Sequence, residues 1–134
     1  MVKKITLITT IFTILLTANE LDGAWHLRVM DGMEVRKARA ILDFDMKQRK
    51  LSGFDACNRI GGILVKHAKH NTSVPMLMST KMACRETIHS WVSTRLKETL
   101  KEGFYIRKEK RYGIKGITLK SPTHELFFKR MERE

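Results

Sequence analysis

A chain of 134 residues, 43% hydrophobic and 30% charged, is long enough for one domain with a real core and too short for a second. That balance excludes a disordered chain, and the lack of Pro-rich, Gly/Ser-rich or repeated stretches excludes a linker or an array. The formal charge of +12 favours anionic partners, namely nucleic acid, lipid headgroups, lipopolysaccharide or acidic proteins, with a plain solvated basic surface as the alternative.

Lys3 and Lys4 precede 14 uncharged residues, 5–18, and the polar Asn19-Glu20 follows. This is the order of a basic n-region, an apolar h-region and a polar exit. The uncharged stretch contains five threonines and falls short of the roughly 20 apolar residues that span a bilayer. Residues 1–19 are therefore expected to be a signal peptide cleaved near Ala18, which places the protein in the periplasm or outside the cell. Leu16 stands where signal peptidase prefers a small residue, so the alternative is an inner-membrane anchor formed by residues 5–18. No cysteine near the end of this segment offers a lipid acceptor. Removing the two lysines leaves +10 on the mature chain. Export argues against nucleic acid as partner, as does the lack of a helix-turn-helix, zinc-finger or RNP-type signature.

After residue 23 the recurring signal is alternation with period two, which predicts strands. Trp25, Leu27 and Val29 face one way while His26 and Arg28 face the other. Ala40, Leu42, Phe44 and Met46 form the inward set of a second strand, and residues 47–50 make a polar turn into a third at 51–55. Gly61-Gly62 predicts a tight bend opening a fourth strand at 63–65. Residues 67–71 read as a polar loop, and 72–76 as a short edge strand because Pro75 cannot donate to a central ladder.

A helix is predicted between Arg85 and Glu102, where Ile88, Trp91, Val92, Leu96 and Leu100 recur at three- and four-residue intervals. Gly103 is its stop, and Lys97 and Lys101 suit the negative end of its dipole. Three more strands follow, carrying Phe104 and Ile106, then Ile117 and Leu119, then Leu126 and Phe128, with Ser121-Pro122-Thr123 as a hairpin turn. The class is α+β, an antiparallel sheet of about seven to eight strands with one helix packed across it.

Cys57 and Cys84 are the two cysteines. In an exported chain such a pair is a disulfide candidate, the alternative being two separately buried thiols.

Two segments, Ser52-Gly53-Phe54-Asp55-Ala56-Cys57-Asn58-Arg59-Ile60-Gly61-Gly62 and Ser79-Thr80-Lys81-Met82-Ala83-Cys84, resemble the paired signatures of the META domain family, also called HslJ-like. Gly23-Ala24-Trp25, the helix after the second cysteine and the closing Leu126-Phe127-Phe128-Lys129-Arg130 agree in order, so the resemblance covers residues 21–131. Ala56 stands where the family has Gly, Lys81 where it has Arg, and Ile60 and Leu64 occupy a region where an aromatic is common. The resemblance implies a strongly curved, partly open, barrel-like sheet in a bacterial envelope or secreted protein. It also implies an association with heat-shock response, drug resistance, motility or secretion, without a shared reaction. The motif residues it marks as structural are Gly53, Cys57, Asn58, Arg59, Gly62, Thr80, Met82, Ala83 and Cys84.

Read as side chains, Asn58 and Arg59 fit backbone bonding and edge packing better than ligand binding, and Thr80 fits a turn. His67 and His70 have neither cysteine nor carboxylate beside them in sequence, so no metal or other cofactor is expected. No nucleophile elbow, phosphate loop or paired carboxylates emerge, so a catalytic role, a hydrolase included, ranks last. Arg107, Lys108, Lys110, Arg111, Lys115 and Lys120, interleaved with Tyr105 and Tyr112, form a basic hairpin that fits either an anionic headgroup or simple solvation. Two functions follow. The first is a non-catalytic envelope module, stress- or assembly-related, that binds a protein or an amphipathic ligand in an apolar groove beside the helix. The second is a basic surface that binds anionic lipid or lipopolysaccharide through the hairpin.

Overall fold

A computed structural model describes residues 18–131, so the export segment expected before them lies outside the described residues. The chain opens with a single helical turn, α1 (Ala18–Leu21), and then β1 (Gly23–Met30). β2 (Met33–Glu34) and a 3-10 turn (Arg36–Ala38) lead to β3 (Ile41–Asp45), β4 (Lys50–Phe54) and β5 (Arg59–Ile63). Three short strands follow, β6 (Val65–Lys66), β7 (Thr72–Ser73) and β8 (Met78–Ser79), then the helix α2 (Thr87–Glu102). The chain closes with β9 (Tyr105–Arg111), β10 (Ile114–Lys120) and β11 (Glu125–Arg130).

Nine strands form one antiparallel sheet in the order β8-β5-β4-β3-β1-β11-β10-β9, with β2 paired to β1 outside this path. No ladder joins β8 to β9, so the sheet stays open, and α2 packs on its inner face. The α+β class and the single helix across an antiparallel sheet are as expected from the alternation.

Most inward residues are those the pattern marks; the exception is Val29, which a bulge after Leu27 turns to the outer face opposite a buried Phe127, so that Met30 faces the core in its place. Leu27, Ala40, Leu42, Ile117, Leu119, Leu126 and Phe128 are fully buried, and Val92, Leu96 and Leu100 of α2 close over them. Ile88 and Trp91 pack at the margin of the same core. Gly103 ends the helix at φ 105°, its N–H donating to the Thr99 carbonyl at 3.2 Å. The beginning of the domain is tied down as well: Trp25 Nε1 donates to the Leu21 carbonyl at 2.8 Å, and Arg130 lies 4.2 Å over the indole while donating to the Asp22 and Glu20 carbonyls.

Several expectations need correction. Gly61 and Gly62 lie inside β5 and make no bend. An added Cβ on Gly62 would stand 2.4 Å from Val74 Cγ1, so the residue is bare to admit Val74. Val65 pairs with β7 in a separate two-stranded sheet, so the short strand at Thr72 ends at Ser73 and lies outside the main sheet, whose edges are β8 and β9. The strand predicted over 104–107 begins at Tyr105 and extends to Arg111, because Tyr112 (φ 52°) and Gly113 (φ 75°) make a two-residue turn that matches the twist of the flanking strands. Asp31 (φ 50°) and Gly32 (φ 80°) turn β1 into β2 the same way. The apolar stripe of the helix, Val92, Leu96 and Leu100, is spent on the core.

His124, in the turn between β10 and β11, binds Asp31 Oδ2 through Nδ1 and Glu98 Oε2 through Nε2, each at 2.7 Å, stitching hairpin, turn and helix together. Burial opposes its charge, but the hydrogen bonds and charges of Glu98 and Asp31 prevail and raise its pKa above the ordinary histidine value. A raised folded-state pKa contributes stability in full below the unfolded value of about 6.5, and that contribution fades as pH climbs through the folded value. Glu98 is half exposed, so the effect is about 1 kcal/mol or less. Urea midpoints of wild type and His124→Gln measured across this range should converge as pH rises; a constant gap would show that the histidine acts without its charge.

Candidate functional site

The two motif segments meet in a knot at the end of β4. Asp55 is fully buried, and its Oδ1 accepts the N–H groups of Cys57 at 2.9 Å and Asn58 at 2.7 Å, while the Asp55 N–H donates to the Asn58 carbonyl at 2.9 Å. This Asx-type turn delivers Cys57 to Cys84, and the two form a disulfide. Asn58 then ties the second segment to the first: its Oδ1 accepts the Met82 N–H and the Thr80 hydroxyl. Thr80 Oγ1 accepts the Arg59 N–H at 3.1 Å, and the Thr80 N–H donates to the Arg59 carbonyl at 3.0 Å. Gly53 allows β3 to approach, since a Cβ there would lie 2.1 Å from the Ile41 carbonyl oxygen. Gly53, Cys57, Asn58, Arg59, Thr80, Met82 and Cys84 thus converge on one place; Ala83 lies on the exposed stretch between Met82 and Cys84, and Gly62 is further along β5.

Sequence reading overlooked Asp55, although an Asp two residues before a cysteine at a strand end is the signal for such a turn. Its second oxygen lies 3.3 Å from Lys97 Nζ, so that lysine serves a buried carboxylate and not the helix dipole. Ala56 sits at φ 91°, a conformation that favours glycine. Ala56→Gly is therefore expected to stabilise the domain by about 1 kcal/mol, visible as a melting midpoint a few degrees higher. An unchanged or lower midpoint would mean that the buried methyl group outweighs the relief.

On the outer face of β3–β5, Ile41, Ser52, Phe54, Arg59 and Met82 line an open depression of about 730 Å³. Beside it the chain around and after β8 is exposed: Met76 is 83%, Met78 73% and Met82 63% accessible. β8 reaches the sheet through Met78 opposite Gly61 and Ser79 opposite Ile60.

The register divides the six hairpin cations between two faces. Arg107, Arg111 and Lys120 share one, and Lys108, Lys110 and Lys115 the other, with Lys110 directly opposite Lys115. Four of them have carboxylate partners: Lys108 with Glu20 at 2.9 Å, Arg107 and Arg111 with Glu109 at 3.8 and 3.2 Å, and Arg111 and Lys120 with Glu125. Hydrogen bonds from Thr118 and Arg111 hold the Glu109 carboxyl below its usual range, and the bond from Arg111 does the same for Glu125. The outer face of the hairpin is thus a cross-strand ion network. His67 Nε2 meets Ser73 Oγ at 2.7 Å, and no cluster of three or more metal-ligating side chains occurs among the described residues.

The sequence profile of the META domain matches residues 18–132. No curated protein matches the chain. Among solved structures, an NMR structure titled only as a protein superposes with a TM-score of 0.69 at 22% identity, covering 87% of this chain and 96% of that one. Another, of a protein from Burkholderia xenovorans, superposes with a TM-score of 0.64 at 24% identity, covering 87% of each. At these identities the likeness is one of fold.

Proposed function

Because the chain belongs to the META domain family, we propose that it is an exported, non-catalytic module of the cell envelope that grips a partner protein, in envelope assembly or stress tolerance. One observation carries this. Three exposed methionines, Met76, Met78 and Met82, stand on a single stretch whose end is fixed by the disulfide and by Asn58, beside a depression floored by Ile41 and Phe54. Methionine is flexible and polarisable, so a cluster held out of the core suits contact with an apolar partner surface. The disulfide is consistent with an oxidising compartment, and the apolar residues 5–18 with a route to it.

Photocrosslinking in the native envelope tests the idea. A photoreactive residue at position 82 should give one discrete adduct that Met78→Glu abolishes, and the same residue at Tyr112 on the hairpin tip should give none. Mass spectrometry without reduction should find the mature chain beginning near residue 19 with the bridge intact. Equal adducts at both positions, or a cytosolic protein with free thiols, would reject the proposal.

A further inference from the structure

Whereas the hairpin cations are largely neutralised, a second set on the sheet is not. His26 on β1 lies in register opposite Lys129 on β11, on the outer face. The register slips between Leu27 and Val29, a bulge that sets Arg28 beside them. The Val35 N–H donates to the Arg28 carbonyl at 2.8 Å, which leads the chain into the 3-10 turn and brings Arg36 alongside. These four basic side chains, with Arg130 and Met131, line a depression of about 260 Å³. Arg39, at the end of the same turn, adds its positive charge.

The compensation is thin. Glu34 is the carboxylate that acts on Arg28, and its Oε1 already accepts the Arg36 N–H at 3.1 Å. Arg28 Nε is buried without a hydrogen-bond partner, while the His26 ring bonds the backbone at Leu27. Burial, then Arg28 and Arg36, hold the His26 pKa below its ordinary value, and burial followed by Arg36 lowers that of Arg28. Folding has packed like charges and an unmet donor around one hollow. That arrangement costs stability unless an anion relieves it.

We propose that this depression binds a phosphate group, held by the guanidinium forks of Arg28 and Arg36, with His26 as a further donor and Lys129 as the opposing wall. Guanidinium geometry matches phosphate oxygens two at a time, and the hollow is below the roughly 300 Å³ at which drug-sized pockets begin, so it suits a small charged group. The phosphate is either free or the headgroup of an anionic lipid. The site neighbours the depression beside the methionines, since His26 pairs with Ile41, but shares no lining residue with it and does not rest on the function proposed above.

The test is an NMR titration of the oxidised domain with inorganic phosphate and, separately, with dihexanoyl phosphatidylglycerol. Saturable shifts should centre on residues 26–28, 36 and 129, and the His26 ring pKa should rise on saturation, because a bound anion offsets Arg28, Arg36, Arg39 and Lys129. Arg28→Gln with Arg36→Gln should weaken binding about tenfold or more, the size of a lost charge-assisted contact. Lys110→Gln with Lys115→Gln should leave it unchanged. Tighter binding of the lipid identifies a headgroup site, and binding of inorganic phosphate alone a free-phosphate site. Absence of saturation by either probe, or shifts spread evenly over all basic side chains, overturns the proposal. Equal affinity in the Arg28/Arg36 variant overturns it too, and should that variant not fold, the wild-type map decides.

Discussion

Replacing both Cys57 and Cys84 by serine should lower the stability of the domain by about 3–4 kcal/mol, the loop-closure entropy restored to an unfolded chain once a bridge of separation 27 is gone. For a domain of this size the melting midpoint should fall by roughly ten to twenty degrees. The loss need not be only entropic. The bridge joins the buried turn at Cys57 to an exposed stretch that has few other anchors: the ladder at β8, the Thr80–Arg59 pair and the bonds to Asn58. Without it, amide exchange should accelerate across residues 78–86 before it does so in β10 or β11, where both faces of the ladder are occupied. Denaturant curves with and without reductant check the magnitude, and hydrogen exchange checks the place. A midpoint within a degree or two of wild type would mean that the hydrogen bonds of Asn58 suffice to hold the two segments.

Asp55→Ala is expected to cost about 3–5 kcal/mol, because it leaves two buried backbone donors unmet at roughly 1–3 kcal/mol each. The substitution orphans the N–H groups of Cys57 and Asn58 and removes the carboxylate that faces Lys97, a residue itself partly exposed and able to turn to solvent. Most of the cost therefore falls on the two backbone donors. Asp55→Asn separates the contributions, because an amide oxygen can still accept both N–H bonds while its NH2 group meets Lys97 unfavourably. Its loss should lie between wild type and Asp55→Ala. Urea unfolding of the three proteins gives the ranking, and an Asn variant as unstable as the Ala variant would shift the weight from the turn to the ion pair. The same turn presents Cys57 to Cys84, so Asp55→Ala should also slow oxidative refolding.

Alternation in residues 25–27, 40–46, 117–119 and 126–128, together with the stripe from Ile88 to Leu100, was enough to name most inward side chains and the one helix, because side-chain direction follows local periodicity; it failed at Val29, where a bulge hands the core position to Met30. Gly103 and the cysteine pair were legible for the same reason: a helix stop and a two-thiol count need no partner to be recognised. What periodicity cannot express is which distant segment fills a given space. Gly62 is bare because Val74, just past β7, arrives there, and Gly53 because the Ile41 carbonyl does. The extent of β9 depended on Tyr112 accepting a positive φ, which composition does not announce. Of the cationic residues, sequence proximity singled out the hairpin, yet Glu20, Glu109 and Glu125 come to meet four of its six charges. The uncompensated group consists of His26, Arg28, Arg36 and Lys129, drawn from strands at opposite ends of the chain and a turn, and gathered by one bulge and one strand pairing. Charge balance is a property of neighbours in space, and only the tertiary structure decided who those neighbours are.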